Sequence, residues 1–520
     1  MAENTKTSRE KVPLIQKAAF GSGHLTLNLL PGALGVFSFF LLTAFGMDPF
    51  LAGLLGGLPR LYDAISDPVM GFISDNTKSR WGRRRPYIFV GAILSGIFYI
   101  LLWQMSPDNS QMYNFWYFLI FSILFLTGNT IFATPLVGLG YEMTPDYNER
   151  TRLMGFANTV GQIAWMIVPW FWVIIANPNV YANQVEGVNR LAVNVGIICM
   201  VLGIMPALSC KGIDSTHIEN RKEISWSTIG SSFRELLKGI IQVSQNKPFL
   251  KLCAATFLVF NGFQIVASFS VFIIVFYLYN GSYEGAGTWP AWFATVSALS
   301  TAFLVIPIIT FVANKWGKKN AFITASFISI IGYILKWWGF DFGLNEKFNQ
   351  TSLGKSMTYG LQSFFDSIAP TLNSLNMSWF TIDTSYGVPW LIFLPIPLLA
   401  FGLGSLFTLM MSMTADVCDL DELRNGMPRK EGTFGAIYWW MVKLGQGIAL
   451  VIGGFVLKVI GFDGGMAQQT ADTLYKLRLM DIIIPSITAA MAAWVMWSYS
   501  LSEQRAREIR AELERRRGVL

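Results

Sequence analysis

The stretch RLYDAISDPVMGFISDNTKSRWGRRRP, Arg60 to Pro86, decides how the chain is read. It sets Arg60, Asp63 and Asp67 inside a run otherwise apolar enough to cross a bilayer, then follows them with the basic cluster Lys78–Arg85. A charge at the centre of a membrane helix costs about 2.5 to 3.5 kcal/mol on insertion scales, so these side chains must face protein or water rather than lipid. Asp63 and Asp67 are four residues apart and Arg60 is three before Asp63, which puts all three on nearly one helix face. Two carboxylates in one confined site repel, so they either hold a proton or take a cation between them. A structural ion pair of Arg60 with one aspartate would account for only one of the acids.

The surrounding composition agrees with a membrane setting. Of 520 residues 53% are hydrophobic and 14% charged, with mean hydropathy +0.45, against about 25% charged in a soluble domain. Apolar runs predict twelve spans, at 16–45, 49–76, 86–105, 112–141, 152–176, 188–208, 249–279, 288–313, 320–340, 389–416, 433–461 and 478–501. The first residues lack the short apolar core and cleavage site of a signal peptide, so the first span is expected to serve as an uncleaved insertion signal. Lys and Arg crowd the even-numbered connections, and the odd ones carry almost none. Both termini are therefore expected in the cytoplasm of a protein of the cell (inner) membrane. The net charge of +7 follows this topology and anionic headgroups, and nucleic acid is not expected as a partner. Cys199, Cys210, Cys253 and Cys418 are scattered singly and read as inert packing residues.

The reading is an all-α membrane protein of two six-helix bundles. Residues 1–208 form the first bundle, 209–248 a cytoplasmic linker, 249–501 the second bundle and 502–520 a basic tail. RWGRRRP, Arg80–Pro86, is echoed by KWGKKNA, Lys315–Ala321, at the equivalent place in the other half, as expected of parallel repeats. Within the linker, WSTIGSSFRELLKGI suits an amphipathic surface helix. The piece 341–388 is expected as an irregular lid outside the membrane, packed on the outer helix ends.

A further intramembrane charge, Lys443, lies near the middle of the eleventh span, and its expected partners are Asp63 and Asp67. Asp75, Arg83, Arg84, Arg150 and Glu431 lie at the cytoplasmic ends and read as a gate or brace. No G-x-x-x-x-G-K-[ST] loop, G-x-S-x-G elbow, H-E-x-x-H or clustered Cys/His set occurs, which argues against a membrane enzyme or ATP-driven pump. An acid pair facing a lysine suits a switch better than an open pore.

The combination of DAISDPVMGFISDNTKSRWGRRRP, GYEMTPDYNERTRL (Gly140–Leu153) and DVCDLDELRNGMPRKEG, followed by Lys443, resembles the glycoside-pentoside-hexuronide:cation symporters of the major facilitator superfamily, the melibiose permease-like family. The resemblance runs from about residue 16 to 500. It implies that Asp63 and Asp67 match the family's cation-binding acids, Thr130 its threonine and Lys443 its assisting lysine; Arg60, from its place on the same helix face, is expected as a further charge partner. Ser66 stands where the family has asparagine, which leaves the coupling ion open between Na+, held at Asp63 and Asp67, and H+. The carboxylates, arginine and tryptophan that grip the sugar in the galactoside-transporting relative are replaced here at their approximate counterparts by His24, Ala133, Asn158 and Val137.

By position, the substrate cavity would be lined by His24, Asn28, Asn158, Gln162, Tyr438, Trp439 and Trp440, combining hydrogen-bonding groups with flat aromatic faces. The expected function is a monomeric symporter that imports a glycoside or related small solute with Na+ or H+, without any other cofactor. The alternative on the same fold is a transporter of a lysolipid-like amphiphile.

Overall fold

The computed structural model describes residues 11–144, 147–177, 180–210, 230, 234, 245–374, 377, 380–425 and 431–517, apart from a few side chains within these ranges. The expected linker helix lies almost wholly outside the described residues. The first six helices are α1 (Leu14–Thr43), α2 (Pro49–Asn76), α3 (Arg85–Leu102), α4 (Gln111–Glu142), α5 (Tyr147–Ala176) and α6 (Gln184–Ser209). Then come α7 (Lys247–Phe272), extended by a π-helical turn to Leu278; α8 (Trp289–Ser300), continued to Trp316; and α9 (Lys318–Gly339). Two shorter helices follow, α10 (Phe342–Gln350) and α11 (Ser352–Ser374). Last are α12 (Ile396–Ser405), continued to Asn425; α13 (Glu431–Val459); α14 (Ala471–Trp497); and α15 (Glu503–Arg517).

Among the described residues eleven helices are long and apolar enough to cross a membrane. The 28-residue α2 is equally long but carries Arg60, Asp63, Asp67 and Asp75, which keep it from that count. Local chemistry sets several starts. Ser110 Oγ accepts from Tyr113 N to cap α4, Asn246 Oδ1 accepts from Phe249 N to cap α7 with Pro248 in the first turn, and Thr470 Oγ1 accepts from Thr473 N to cap α14.

Contacts divide the chain into two units. The first holds residues up to 38, 62–171 and 185–234; the second holds 39–61, 172–184 and 235–520. The first has a core of Phe20, Ile88, Phe132, Leu136, Leu139 and Leu153, from α1, α3, α4 and α5. In the second, Phe249, Phe260, Phe322, Phe401, Tyr438 and Met496 form a larger core. Ile509 and Leu513 of α15 are buried in that same cluster, so the basic tail begins as a docked helix.

Also within the second unit, the first half of α2 packs on α13 through main chain. A Cβ on Gly53 would stand 2.7 Å from Leu450 O and 3.0 Å from Gly454 Cα. Small residues at this spacing let membrane helices approach closely. The piece expected as an irregular lid is largely helical as α10 and α11. Asn345 ties it to the spans by donating to Gly339 O at 2.9 Å and accepting from Leu391 N at 2.9 Å.

Candidate cation site and its surroundings

In the first unit α2 and α4 bring four of the expected residues together. Asp63 and Thr130 are buried, and Ser66 and Asp67 half-buried. Thr130 Oγ1 lies 3.2 Å from Asp63 Oδ1, 3.0 Å from Asp67 Oδ1 and 3.1 Å from Ser66 Oγ. Ser66 Oγ is also 3.2 Å from the Asp63 carbonyl. The i, i+4 spacing of the acids on α2 produces this arrangement, because it aims both carboxylates at one position on the neighbouring helix.

One hydroxyl serves both acids. A threonine hydroxyl has one hydrogen to donate, and Thr130 Oγ1 is within hydrogen-bond distance of two carboxylates. The two carboxylates thus converge on a single oxygen, the arrangement in which a proton or a cation is most strongly attracted. Two carboxylates and two hydroxyls are the all-oxygen donor set that suits a hard cation. Among the described residues no group of three or more His, Cys, Asp or Glu is arranged for a metal.

Next to Asp63 on α2 and one turn before Thr130 on α4, Tyr62 Oη and Thr127 Oγ1 are 2.8 Å apart, a second α2–α4 link that sequence reading missed. Only the register between the two helices brings them together.

At the far end of α2, Arg84 Nη2 donates to Asp75 Oδ1 at 2.8 Å and Arg84 Nε to Glu142 Oε1 at 2.8 Å, while Arg83 Nε donates to the same Glu142 oxygen at 2.6 Å. Three of the expected brace residues thus meet, joined by Glu142, which the sequence reading had not chosen. A Cβ on Gly138 would run into the Arg84 guanidinium, so only glycine leaves the passage open. Arg85 Nε donates to Ala207 O at 2.6 Å and stabilises the C-terminal end of α6. The side chains of Arg150 and Glu431 lie outside the described residues.

Four expected substrate residues lie on α1 and α5. His24 stacks edge-on with Phe20 at 4.7 Å, and its Nε2 is buried with no hydrogen-bond partner. Asn28 Nδ2 donates to His24 O at 2.9 Å, and Asn28 Oδ1 accepts from Trp165 Nε1 at 3.3 Å. Asn158 and Gln162 are exposed and contact each other at 3.5 Å. The other two lie in the second unit. Tyr438 is fully buried in its core and lines no open surface, Trp439 is exposed, and neighbouring Trp440 is half-buried. The apolar YWWM run hid which side of α13 faces inward. Lys443 is half-buried on α13, and Arg60 packs its Cβ towards Gly447.

The second unit holds a charged network that the reading passed over. Lys336 on α9 and Asp481 on α14 form an ion pair and are each 1% exposed. Lys336 Nζ also donates to Ser270 Oγ at 2.9 Å. Arg478 donates to Tyr277 Oη at 2.7 Å and Trp337 O at 2.6 Å, and Asp341 lies 3.5 Å away. The signal was present, since Lys336 and Asp481 are charges in apolar runs just as Asp63 is.

Comparison with known proteins agrees with this architecture. The sequence profile of the family described as MFS/sugar transport protein matches residues 19–503. An uncharacterized symporter of Synechocystis sp. is 26% identical over 88% of this chain and 87% of its own. The isoprimeverose transporter of Lactiplantibacillus pentosus is 21% identical over 95% and 90%. A sodium-dependent lysophosphatidylcholine symporter of Danio rerio is 23% identical over 94% and 86%. Among solved structures, a bacterial homolog of the human lysosomal transporter Spinster superposes with a TM-score of 0.60 at 15% identity, covering 96% of this chain and 97% of the other.

Proposed function

Since the chain belongs to the MFS/sugar transport protein family and is thereby a multi-pass membrane transporter and not an enzyme, we propose that it is a symporter that takes up a glycoside or related small organic solute together with Na+ or H+. The observation that carries this reading is the single Thr130 hydroxyl proton facing the carboxylates of Asp63 and Asp67. A bound H+ would sit on one carboxyl group and donate within the cluster. A bound Na+ instead draws the four oxygens of Asp63, Asp67, Ser66 and Thr130 around itself. Lys443 and Arg60 serve as charge partners that offset the acids when the ion has left.

The solute is held beside this site by Asn28, Asn158 and Gln162, with His24 supplying a nitrogen in need of a partner and the exposed ring of Trp165 a flat apolar face. Coupling is thermodynamic, so ion binding that orders the solute site must be matched by an equal gain in ion affinity from the solute. Transport proceeds by alternating access of the two six-helix halves, 1–208 and 249–501, with Asp75, Arg83, Arg84 and Glu142 bracing the cytoplasmic end. Arg150 and Glu431 belong to the same brace by sequence. The protein works as a monomer in the cell membrane with both termini cytoplasmic.

A second reading has its own observation. α5 exposes Phe156, Ile163, Trp165, Met166 and Ile167 alongside its polar residues, a surface suited to an amphiphile such as a lysolipid. Melting temperature against glycosides, uronides and lysolipids, each in sodium and in choline buffer at two pH values, separates the readings, because a ligand of the folded state raises apparent stability. A glycoside shift that grows with sodium, or with pH alone, supports the main reading and identifies the ion. Shifts with lysolipids only support the second reading.

A further inference from the structure

α11 has more apolar surface than the protein covers. On a helical wheel its buried residues, Gly354, Phe365 and Leu372, mark one arc. Next to it runs a stripe of Leu353, Met357 and Phe364, at i, i+4 and i+11, which are 60%, 37% and 56% exposed. The exposed Lys355, Ser363 and Asp366, with Tyr359 between them, occupy the opposite side. One flank of the apolar arc is thus seated on the protein and the other stands open, while the polar side points away from both.

Two further observations say what meets the open flank. Asn345 ties α10 to Gly339 and Leu391, and Trp390 Nε1 donates to Thr358 Oγ1 of α11 at 3.1 Å. The pair α10–α11 is thereby held at the level where the α9 and α12 spans leave the membrane. In addition, α9 exposes Phe327, Ile331, Ile334 and Trp338 at steps of four, three and four residues, the outward stripe of a membrane helix. Phe342 of α10, 48% exposed, prolongs that stripe by four residues.

We propose that α11 is an interfacial helix whose Leu353–Met357–Phe364 flank is immersed in the headgroup and upper acyl region of the bilayer, continuing the lipid-facing surface of α9. A helix with a wide apolar arc and a charged opposite side lies in the plane of a membrane surface, buried by about 5 to 10 Å. By the distribution of Lys and Arg this is the extracytoplasmic leaflet. The inference rests on the membrane location alone and is independent of which solute or ion is carried.

The test uses the full chain in lipid nanodiscs with single spin labels at Leu353→Cys, Met357→Cys and Phe364→Cys, and at Lys355→Cys, Ser363→Cys and Asp366→Cys. The four native cysteines are buried, and unsubstituted protein gives the background. Collision with oxygen, which partitions into lipid, is compared with collision with a water-soluble nickel chelate. The first three labels are expected to favour oxygen and the second three nickel, and lipids spin-labelled near the headgroup should broaden only the first three. Equal nickel access at all six positions overturns the proposal. Shielding of the first three from both reagents, as burial against a second copy would give, overturns it as well.

Discussion

The hydroxyl of Thr130 lies 3.0 Å from Oδ1 of Asp67, on a different helix, and has only one proton to offer the two carboxylates it touches. Thr130→Val removes the shared oxygen and its hydrogen, so affinity for the coupling ion should fall about tenfold or more, the worth of roughly one hydrogen bond to a charged group. Thr130→Ser should keep most of it. Calorimetric titration with sodium, and proton release followed with a pH dye, make the comparison.

Asp67→Asn removes a carboxylate from the same cluster. Cation-driven accumulation in proteoliposomes should be abolished while the purified protein still melts cooperatively. Undiminished accumulation against a gradient would rule out the proposed role of Asp67.

Gly138→Ala pushes the Arg84 guanidinium off its path between Asp75 and Glu142. Because a flexible side-chain end is displaced, the loss should be that of the ion pairs rather than of core packing, on the order of 1 kcal/mol. Arg84→Ala should cost about as much, and the double variant little more than either. Additive losses in melting temperature would show that Gly138 acts through something else.

Glu149 accepts from Val12 N at 3.1 Å and pairs with Lys17 at 2.6 Å, which ties the chain before α1 to the start of α5. The hydrogen bond from Lys17, followed by that from the Val12 amide, lowers its pKa from the ordinary 4.5. A depressed carboxylate stabilises the fold above its unfolded pKa, and this contribution disappears as pH falls through the lower folded value. Protection of amides near Val12, measured against their intrinsic exchange rates, should therefore fall in acid, below about pH 4.3. Glu149→Gln should exchange fast at every pH tested.

Lys336→Met and Asp481→Asn each leave a buried partner charge, and each should cost about 3 to 5 kcal/mol. Lys336→Met combined with Asp481→Leu should recover much of the loss, read as unfolding midpoints in a mixed-micelle denaturant series. Equal losses in the single and double variants would mean that the pair contributes packing and not charge.

Much of this was legible in the chain. The second span was read as 49–76, and α2 is Pro49–Asn76, because its ends coincide with Pro49 and a sudden polar run. α14 begins at Ala471, seven residues earlier than read, because Asp472, Lys476 and Arg478 depress hydropathy while the Thr470 cap and the buried partners of Arg478 support helix. α10 and α11 were read as irregular, since a search for apolar runs overlooks an amphipathic helix whose signal is periodicity. The acids of the proposed cation site announced themselves by their cost in lipid. Tyr62, Thr127 and Glu142 are ordinary on their own helices and acquire meaning only from the register between α2, α3 and α4.

The seam where Gly53 of α2 meets Gly454 of α13 has a kinetic consequence. Interdigitated side chains must hop between rotamers when two helices separate, and each hop adds friction. Glycines have no rotamers, so at this point the helices meet through dispersion and weak Cα–H···O contacts between main chains, beside the Phe50–Phe455 ring contact and the Asp48–Lys458 ion pair. It is a low-friction bearing, in which an added methyl group on Gly53 would meet main chain at 2.7 Å and so both slow the cycle and cost stability.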